Sequence, residues 1–268
     1  MTSEFVHLHN HSDYSLLDGA QRIDQLVNTI DDLNMDAVAL TEHGNMFSVL
    51  PYYKQAKNAG IKPIIGCEIY VAVGSRFEKK SRSDGGWGNN HLILLAQNFT
   101  GYKNLMKLVT AGYLEGFYYR PRIDMDLLRE YSDGLICMSA CLKGVVPEKM
   151  LKGDYEGAKK EALIFSEIFP DRYYLEIQNH GIAEEVANIK NMKKLSQDLN
   201  LPLVCTNDAH YAKKEHWEAH DIHICLGTGK ERSDPNRLRY ATPEFYFKTQ
   251  DEMYSLFKEF PEAIENTR

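Results

Sequence analysis

The chain alternates between short uninterrupted apolar runs and segments in which apolar residues recur every three or four positions. The run at 36–40 is typical of a buried strand, and the segment 23–34 before it has the spacing of an amphipathic helix. The same alternation continues to a strand predicted at 202–206 and a helix predicted at 213–225. Strands that alternate with helices indicate an α/β protein with a parallel sheet.

Seven strand–helix units over roughly 225 residues fit a (β/α) barrel better than an open sheet. A doubly wound open sheet stays possible from the pattern alone. The predicted strands are 6–9, 36–40, 63–73, 91–97, 134–139, 173–178 and 202–206, and the predicted helices are 23–34, 48–59, 102–110, 155–169, 184–200 and 213–225.

Side chains able to bind metal ions lie at or just after these strands. In a parallel barrel the carboxyl ends of the strands converge on one face, so such residues would share a cleft. The candidates at these positions are His9, His11, Asp18, His43, Glu68, Cys141, Asp208 and His210. Imidazole, carboxylate and thiolate together suit Zn, Mn or Fe. Several carboxylates can also bridge two ions, an arrangement suited to phosphoester hydrolysis.

Each candidate taken alone has an ordinary explanation. A single histidine at a strand end is usually a surface or hydrogen-bonding residue, and Cys141 alone is more often a small core residue. Glu68 is a stronger signal, because a carboxylate inside the apolar run 64–71 is costly unless it is paired or bound to metal. Combined with His-X-His at 9–11 and Asp-X-His at 208–210, Glu68 predicts a metal site.

Other segments fit this argument less clearly. His91 begins its predicted strand, which in a parallel barrel lies at the opposite end, so this logic does not decide whether it is a ligand. His7 has the same strand parity as His9, and we interpret it as a packing or supporting residue. His180 follows a strand and is a candidate substrate contact. The glycine-rich, basic loop 74–90 is either a solvated excursion or a flap that contacts substrate.

Composition narrows the class of protein. The chain has 268 residues, a net charge of −7 and five cysteines without a CxxC pair. It has neither an 18-residue apolar stretch nor an N-terminal secretory signal, so we expect a cytoplasmic protein with free thiols and no membrane partner. Net acidity disfavours nonspecific DNA binding, but bound divalent cations would offset it locally. Walker A, GxSxG and GxGxxG motifs are absent from the sequence.

The motifs that carry these candidates resemble those of the polymerase and histidinol phosphatase (PHP) domain family. Segment 5–19, Phe-Val-His-Leu-His-Asn-His-Ser-Asp-Tyr-Ser-Leu-Leu-Asp-Gly, resembles the opening of that domain. More narrowly, the chain is similar to the PHP domains at the N-terminus of bacterial replicative DNA polymerase III alpha subunits. Further matching motifs lie at 41–45, 62–68, 91–96, 119–124, 207–211 and 251–267.

The resemblance implies a distorted seven-stranded (β/α) barrel over residues 1–233. Residues 234–268 would form an extension leading towards a polymerase core that is absent from this chain. The family also implies a trinuclear metal centre, which makes His91 a ligand. One ion would be held by His9, His11, Glu68 and Asp208, a second by Glu68, His91 and Cys141, and a third by Asp18, His43 and His210. Position 42 is a glutamate where the family commonly has an aspartate, and this difference does not affect any of the implied metal ligands.

Family members with all nine ligands are associated with metal-dependent 3′–5′ exonuclease proofreading, so we expect that activity here. The reaction would be hydrolysis of the 3′-terminal phosphodiester by a metal-bridging hydroxide held by Glu68, Asp208 and His210. The cofactors would be three divalent ions, Zn or Mn, with Fe and Mg as further candidates. Arg120, Arg122 and His180, together with the basic loop residues 76–82, are candidate substrate contacts.

The expected partners are the 3′ end of DNA, the rest of the polymerase alpha subunit in cis and other replisome subunits. Two alternatives stay open from the sequence. One is a free-standing PHP phosphomonoesterase such as a histidinol phosphatase. The other is a non-catalytic module of the polymerase whose metals stabilise the barrel.

Overall fold

A computed structural model describes residues 4–80 and 88–268. Within these two ranges, seven strands form one curled sheet, and the helices pack around it. The strands are β1 (Ala37–Leu40), β2 (Lys62–Ala72), β3 (Asn89–Ala96), β4 (Arg122–Ile123), β5 (Leu135–Met138), β6 (Tyr173–Ile177) and β7 (Leu203–Cys205). The helices are α1 (Ile23–Asp32), α2 (Val49–Asn58), α3 (Phe99–Leu114), α4 (Met125–Glu130), α5 (Val145–Leu151), α6 (Tyr155–Ile168), α7 (Ala183–Leu199), α8 (Trp217–Thr228), α9 (Gln250–Leu256) and α10 (Pro261–Glu265).

The sheet order is β1-β2-β3-β5-β6-β7, with β4 paired to the end of β2. The N-terminal segment joins the two outer strands: His7 forms a bridge with Val38 of β1, and Asn10 forms one with Ala209 beyond β7. The predicted α/β barrel-like fold is therefore confirmed. The strand predicted at 6–9 is instead a segment of single bridges, and the short β4 was not predicted.

Strand β3 departs from the predicted parallel arrangement. It runs antiparallel to both β2 and β5, with Tyr70 opposite His91 and Ile93 opposite Met138. Its first residues therefore lie at the end of the barrel where the parallel strands have their last residues. This reversal removes the sequence-based objection to His91, which now lies beside Glu68 of β2.

Strand residues alternate between two apolar cores, as the side-chain period of two requires. Residues such as Val38 and Leu92 face the helices and belong to the large core between the sheet and the helices. Residues such as Ala39, Ile93 and Val204 point the other way into a small core inside the barrel. Glu68 lies opposite Ile93, so its carboxylate belongs to the inner face.

Helix α3 begins earlier than predicted because Asn98 caps it. The Asn98 side chain accepts a hydrogen bond from the backbone N–H of Gly101, which satisfies a donor of the first turn. A Cβ at Gly101 would lie 1.8 Å from the carbonyl oxygen of Gly134, so only glycine fits this close approach. The cap and the glycine together fix the helix against the start of β5.

The segment 234–268 packs onto the barrel. Phe247 lies edge-on to His7 with ring centroids 5.0 Å apart, and the Asn266 amide donates to the carbonyl oxygen of Leu203 in β7. The predicted end of the PHP domain at residue 233 stays a prediction. Within the part of the chain that the structure describes, we find no helix long and apolar enough to cross a membrane.

Candidate metal centre

Glu68 lies at the centre of a cluster of histidines. Its carboxylate oxygens lie 3.1 Å from Nε2 of His9, 2.6 Å from Nδ1 of His43 and 2.9 Å from Nδ1 of His91. These residues come from the N-terminal segment, the loop after β1 and the start of β3. Only the curled sheet with its reversed β3 brings them to one carboxylate.

Asp208 connects the His-X-His pair to the segment after β7. Its Oδ1 lies 3.2 Å from Nε2 of His9 and 3.1 Å from Nε2 of His11. The backbone of Asp208 has a φ of +43°, in the left-handed region that non-glycine residues rarely adopt. Such backbone strain persists where the surrounding structure enforces it, and it clusters at functional sites.

The remaining predicted ligands complete the cluster. Cys141 Sγ lies 3.8 Å from Nδ1 of His91, and Asp18 Oδ1 lies 3.0 Å from Nε2 of His43. The ring of His210 lies beside that of His11, with centroids 4.5 Å apart. All nine residues proposed as ligands from the sequence are therefore neighbours at one end of the barrel.

The donor atoms fit divalent cations. Three triplets have ligand atoms that all lie within 4.8 Å of one another. In addition, Nε2 of His11 and Oδ1 of Asp208 are buried and make no hydrogen bond with the described residues, although they lie only 3.1 Å apart. Buried polar atoms of this kind normally have a partner, and a cation would supply one. The triplets are His9–His11–Asp208, Glu68–His91–Cys141 and His11–His43–His210.

The electrostatics of the metal-free site favour an anionic Glu68, a neutral His11 and a protonated Cys141. Burial alone would raise the pKa of Glu68, but the facing imidazoles of His91 and His43 outweigh it and hold that pKa well below its usual value. Burial, together with His43 and His210, lowers the pKa of His11 to about 3, so its ring is neutral. Burial raises the pKa of the Cys141 thiol well above its usual value. The thiol therefore becomes a thiolate only when a cation stabilises the charge.

Glu176, the carboxylate that orients His9, was not among the residues predicted from the sequence. Its Oε1 lies 2.7 Å from Nδ1 of His9 and accepts a hydrogen bond from the Gln178 amide. Because Glu176 binds Nδ1, Nε2 of His9 is directed towards Glu68. Supporting carboxylates orient metal-ligating histidines in this way. A buried glutamate inside the strand at 173–177 was the available signal, the same signal that identified Glu68.

Glu42 also supports the site from behind. Its buried carboxylate accepts hydrogen bonds from the hydroxyls of Ser12, Ser15 and Ser48. The Ser15 hydroxyl in turn accepts from the backbone N–H of His43. Glu42 therefore fixes the loop that follows His11 to the loop that carries His43.

Two predicted substrate contacts have structural roles instead. His180 is fully buried: Nδ1 lies 2.7 Å from Glu185 and Nε2 lies 2.8 Å from the carbonyl oxygen of Asn207, so neither nitrogen is available. Arg122 is buried and donates to the carbonyl oxygens of Gly116 and Glu78. These predictions were wrong because sequence alone does not distinguish a buried arginine or histidine from an exposed one.

Arg120, in contrast, is exposed and lines a large open cleft. The cleft has a volume of about 760 Å³, and Asp18, His43 and His91 form part of its wall. A substrate in this cleft would have direct access to the cluster. The role of Arg120 as a substrate contact stays a prediction.

The first part of the basic loop, 74–80, is held against the barrel, whereas Asn89 and Asn90, also predicted to be loop, belong to β3. Arg76 pairs with Asp124 at 3.0 Å and with Glu115 at 2.6 Å, and the Lys79 ammonium donates to the carbonyl oxygens of Glu115 and Phe117. These two cations therefore have partners within the protein. Arg82, also proposed to contact substrate, lies outside the described residues.

Known proteins resemble the chain in sequence over nearly its whole length. The chain is 52% identical over 265 residues to DNA polymerase III subunit alpha of Borreliella burgdorferi, an alignment that covers 99% of the chain and 23% of that relative. The same subunit of Thermus aquaticus is 41% identical over 258 residues, covering 96% of the chain and 21% of the relative. The chain thus spans less than a quarter of the length of these relatives.

Among solved structures, a two-domain Bacteroides vulgatus protein described as containing a predicted PHP-like metal-dependent phosphoesterase superposes with a TM-score of 0.48. It is 16% identical, and the match covers 98% of the chain and 63% of the other protein. The family model of the PHP domain matches residues 7–180 of the chain. That stretch is well over half of the sequence and contains seven of the nine clustered residues, all except Asp208 and His210, so the chain belongs to the PHP domain family.

Proposed function

We propose that this chain is a metal-dependent phosphodiesterase that hydrolyses the 3′-terminal phosphodiester of DNA. The observation that carries the proposal is the position of Glu68, whose carboxylate lies within 3.1 Å of His9, His43 and His91 at once. A carboxylate shared among several imidazoles suits neighbouring cations rather than a single isolated one. Single structural zinc sites, in contrast, need only four ligands.

The ligand sets proposed from the family suit the observed neighbours. His9, His11, Glu68 and Asp208 would hold one divalent ion, and Glu68, His91 and Cys141 a second. Asp18, His43 and His210 would hold a third. The thiolate favours zinc at the second position, whereas the carboxylate and imidazole sets also suit manganese, iron or magnesium.

Bound divalent ions supply an activated water nucleophile and neutralise charge on the phosphoryl group and the leaving 3′ oxygen. The chain supplies the preorganised frame. Glu176 holds His9 in one orientation, and Glu42 joins the loops that carry His11 and His43. Glu68, Asp208 and His210 are the residues that we propose to hold the attacking hydroxide. Arg120 lines that cleft and would contact the DNA backbone.

We further propose that this domain acts within a longer replicative polymerase. The similarity to DNA polymerase III alpha subunits extends over 98–99% of the chain for two relatives and supports this context. The rest of the alpha subunit would then be a partner in cis, and other replisome subunits and the 3′ end of DNA would be partners in trans.

The experiment compares two substrates with one set of variants. The chain is incubated with Mn²⁺ or Zn²⁺ and a primer–template carrying a mispaired 3′ end, and in parallel with histidinol phosphate. Asp18→Asn and His210→Ala each remove one proposed ligand. Asp31→Asn, an exposed aspartate in α1, is the matched control. We expect stepwise shortening of the primer by the wild type and the control, and loss of shortening in both ligand variants.

Melting temperatures distinguish the alternatives. If the folded wild type leaves DNA intact but hydrolyses the phosphomonoester, the chain is a phosphatase rather than a nuclease. If it hydrolyses neither substrate while both ligand variants lose metal and melt earlier, the ions stabilise the barrel without catalysis. Either result would overturn the proposed activity for this chain.

A further inference from the structure

One wall of the cleft beside the metal centre is aromatic. Phe47, Tyr113 and Phe117 line it, although each of these side chains is at least one-third exposed: 62%, 37% and 49%. Large exposed aromatic groups clustered in one cleft are unusual for a surface that contacts only water. None of the three is needed by the proposed ligand sets, so their position requires a separate explanation.

The three rings form a continuous row. The ring centroids of Phe47 and Tyr113 are 6.0 Å apart, and those of Tyr113 and Phe117 are 6.2 Å apart with an interplanar angle of 24°. Tyr113 lies in the last turn of α3, and the Lys79 ammonium binds the backbone carbonyl of Phe117. The row is therefore held in place by a capped helix and an anchored loop, which favours binding without a large ordering cost.

Cationic side chains line the same cleft as this row and the metal centre. The guanidinium of Arg120 lies 5.8 Å from the ring centroid of Tyr70, and Tyr70 is edge-on to His91 at 5.2 Å. Lys143 is exposed and lines the same cleft. A ligand that lies along the cleft would therefore contact aromatic faces, positive charge and the proposed metal ligands.

We propose that Phe47, Tyr113 and Phe117 are a stacking surface for unpaired bases next to the 3′ end of a DNA strand. This inference rests on the proposed function and specifies its substrate as a single-stranded or frayed end. Alternation of aromatic faces with cationic groups is how proteins bind single-stranded nucleic acid, with bases stacked on rings and phosphates near the cations. Base pairs inside a duplex present only their edges in the grooves, so the bases next to a paired 3′ end cannot stack on the row without fraying.

The occupant is a nucleic acid strand rather than a protein because the cleft is continuous with the phosphoester site. Asp18, His43 and His91 line the same cavity as the row, so the strand that stacks there delivers its terminal linkage to the cluster. The cleft would therefore select single-stranded ends, because a mispaired 3′ end frays readily, whereas a paired end resists unstacking.

The test is a double-mutant cycle that compares the loss of an aromatic ring from the protein with the loss of a base from the DNA. The quantity measured is the affinity for a short oligonucleotide. Binding of a short fluorescent oligothymidylate is measured by anisotropy in an Asp18→Asn background, where cleavage does not interfere. The variants are Phe47→Ala and Phe117→Ala, each compared with the ring-retaining Phe47→Tyr and Phe117→Tyr. The control is Phe99→Ala, which removes a 71% exposed phenylalanine from the opposite end of α3. Every protein is also measured with an oligonucleotide that is abasic near its 3′ end.

We expect each alanine substitution in the row to weaken binding by about tenfold, and the ring-retaining and Phe99 variants to bind like the parent. With the abasic strand, the row substitutions should have little further effect, because the bases that stack on the rings are already missing. Equal losses on normal and abasic strands, or unchanged binding in the row variants, would overturn the inference.

Failure of the proposed nuclease activity is distinguishable from failure of this inference. If the wild-type chain shortens DNA and the row variants shorten it at the wild-type rate on both single-stranded and paired ends, the stacking surface alone is overturned. Binding that depends on the row without any cleavage would instead support the stacking surface and overturn the proposed hydrolysis.

Discussion

The hydroxyl of Tyr240 lies 2.9 Å from Nε2 of His210, so a side chain of the C-terminal segment reaches a proposed metal ligand. Nδ1 of His210 lies 2.7 Å from the carbonyl oxygen of Asp208, which can only accept, so Nδ1 carries the proton. Nε2 therefore presents its lone pair to the Tyr240 hydroxyl. The same lone pair is the one that His210 would offer to a cation.

Tyr240→Phe is expected to raise the affinity for divalent cations by about two- to tenfold, because it removes a hydroxyl that lies within hydrogen-bonding distance of two proposed ligands, His210 and Asp18. Isothermal titration with Mn²⁺ measures the change. Tyr254→Phe, which removes a tyrosine hydroxyl bound to Glu4 from the same segment, is the matched control. Lower affinity in Tyr240→Phe would mean that the hydroxyl supports the ion instead of competing with it.

Glu176→Gln is expected to weaken metal binding by about 10- to 100-fold, because an amide orients the His9 ring less strongly than a carboxylate. Metal content after dialysis against graded chelator concentrations measures the effect. Glu184→Gln changes an exposed glutamate of α7 and should retain the parental affinity. Parental affinity in Glu176→Gln would show that His9 is held without its carboxylate partner.

Substitution of Arg122 is expected to affect the stability of the fold, whereas substitution of Arg120 is expected to affect substrate binding. Arg122→Met leaves the carbonyl oxygens of Gly116, which is buried, and of Glu78 without their donor and should lower the free energy of unfolding by about 2–4 kcal/mol. Arg120→Met should leave stability within about 0.5 kcal/mol but weaken oligonucleotide binding. Urea unfolding and anisotropy are measured on both variants, and the reverse pattern would contradict the structural role of Arg122.

Metal affinity is expected to rise with pH. Burial alone would lower the pKa of His9 and of His43, but nearby carboxylates, including Asp208 and Asp18, outweigh it and raise both pKa values well above the usual one. Burial also raises the pKa of the Cys141 thiol. These groups therefore carry protons in the metal-free chain, and a cation must displace them.

The direction of the pH dependence follows from that exchange. A lower proton concentration favours the release of protons from these side chains, so a higher pH favours the metal-bound chain. Titration calorimetry in buffers of different ionisation enthalpy counts the protons released. Cys141→Ser should reduce that count, because a serine hydroxyl keeps its proton. Affinity that is independent of pH would contradict the protonation states assigned to these residues.

The order of helices and strands was largely predictable because their signals are local. Periodic apolar residues identified α1 and α7, and the uninterrupted apolar runs identified β1 and β2. Short elements such as β4 escaped because two residues carry no period. Among the proposed ligands, Glu68 was predictable because burial of a carboxylate in an apolar strand is itself a physical anomaly.

Composition and spacing in the sequence by themselves determined which side chains are able to bind cations and which segments are helix or strand. Only the tertiary structure decided that β3 runs backwards and brings His91 to Glu68, that Glu176 orients His9, and that Tyr240 reaches the site from the far end of the chain. The physical reason is range: periodicity acts over a few residues, whereas strand direction and burial depend on hydrogen bonds and packing between segments that are distant in sequence.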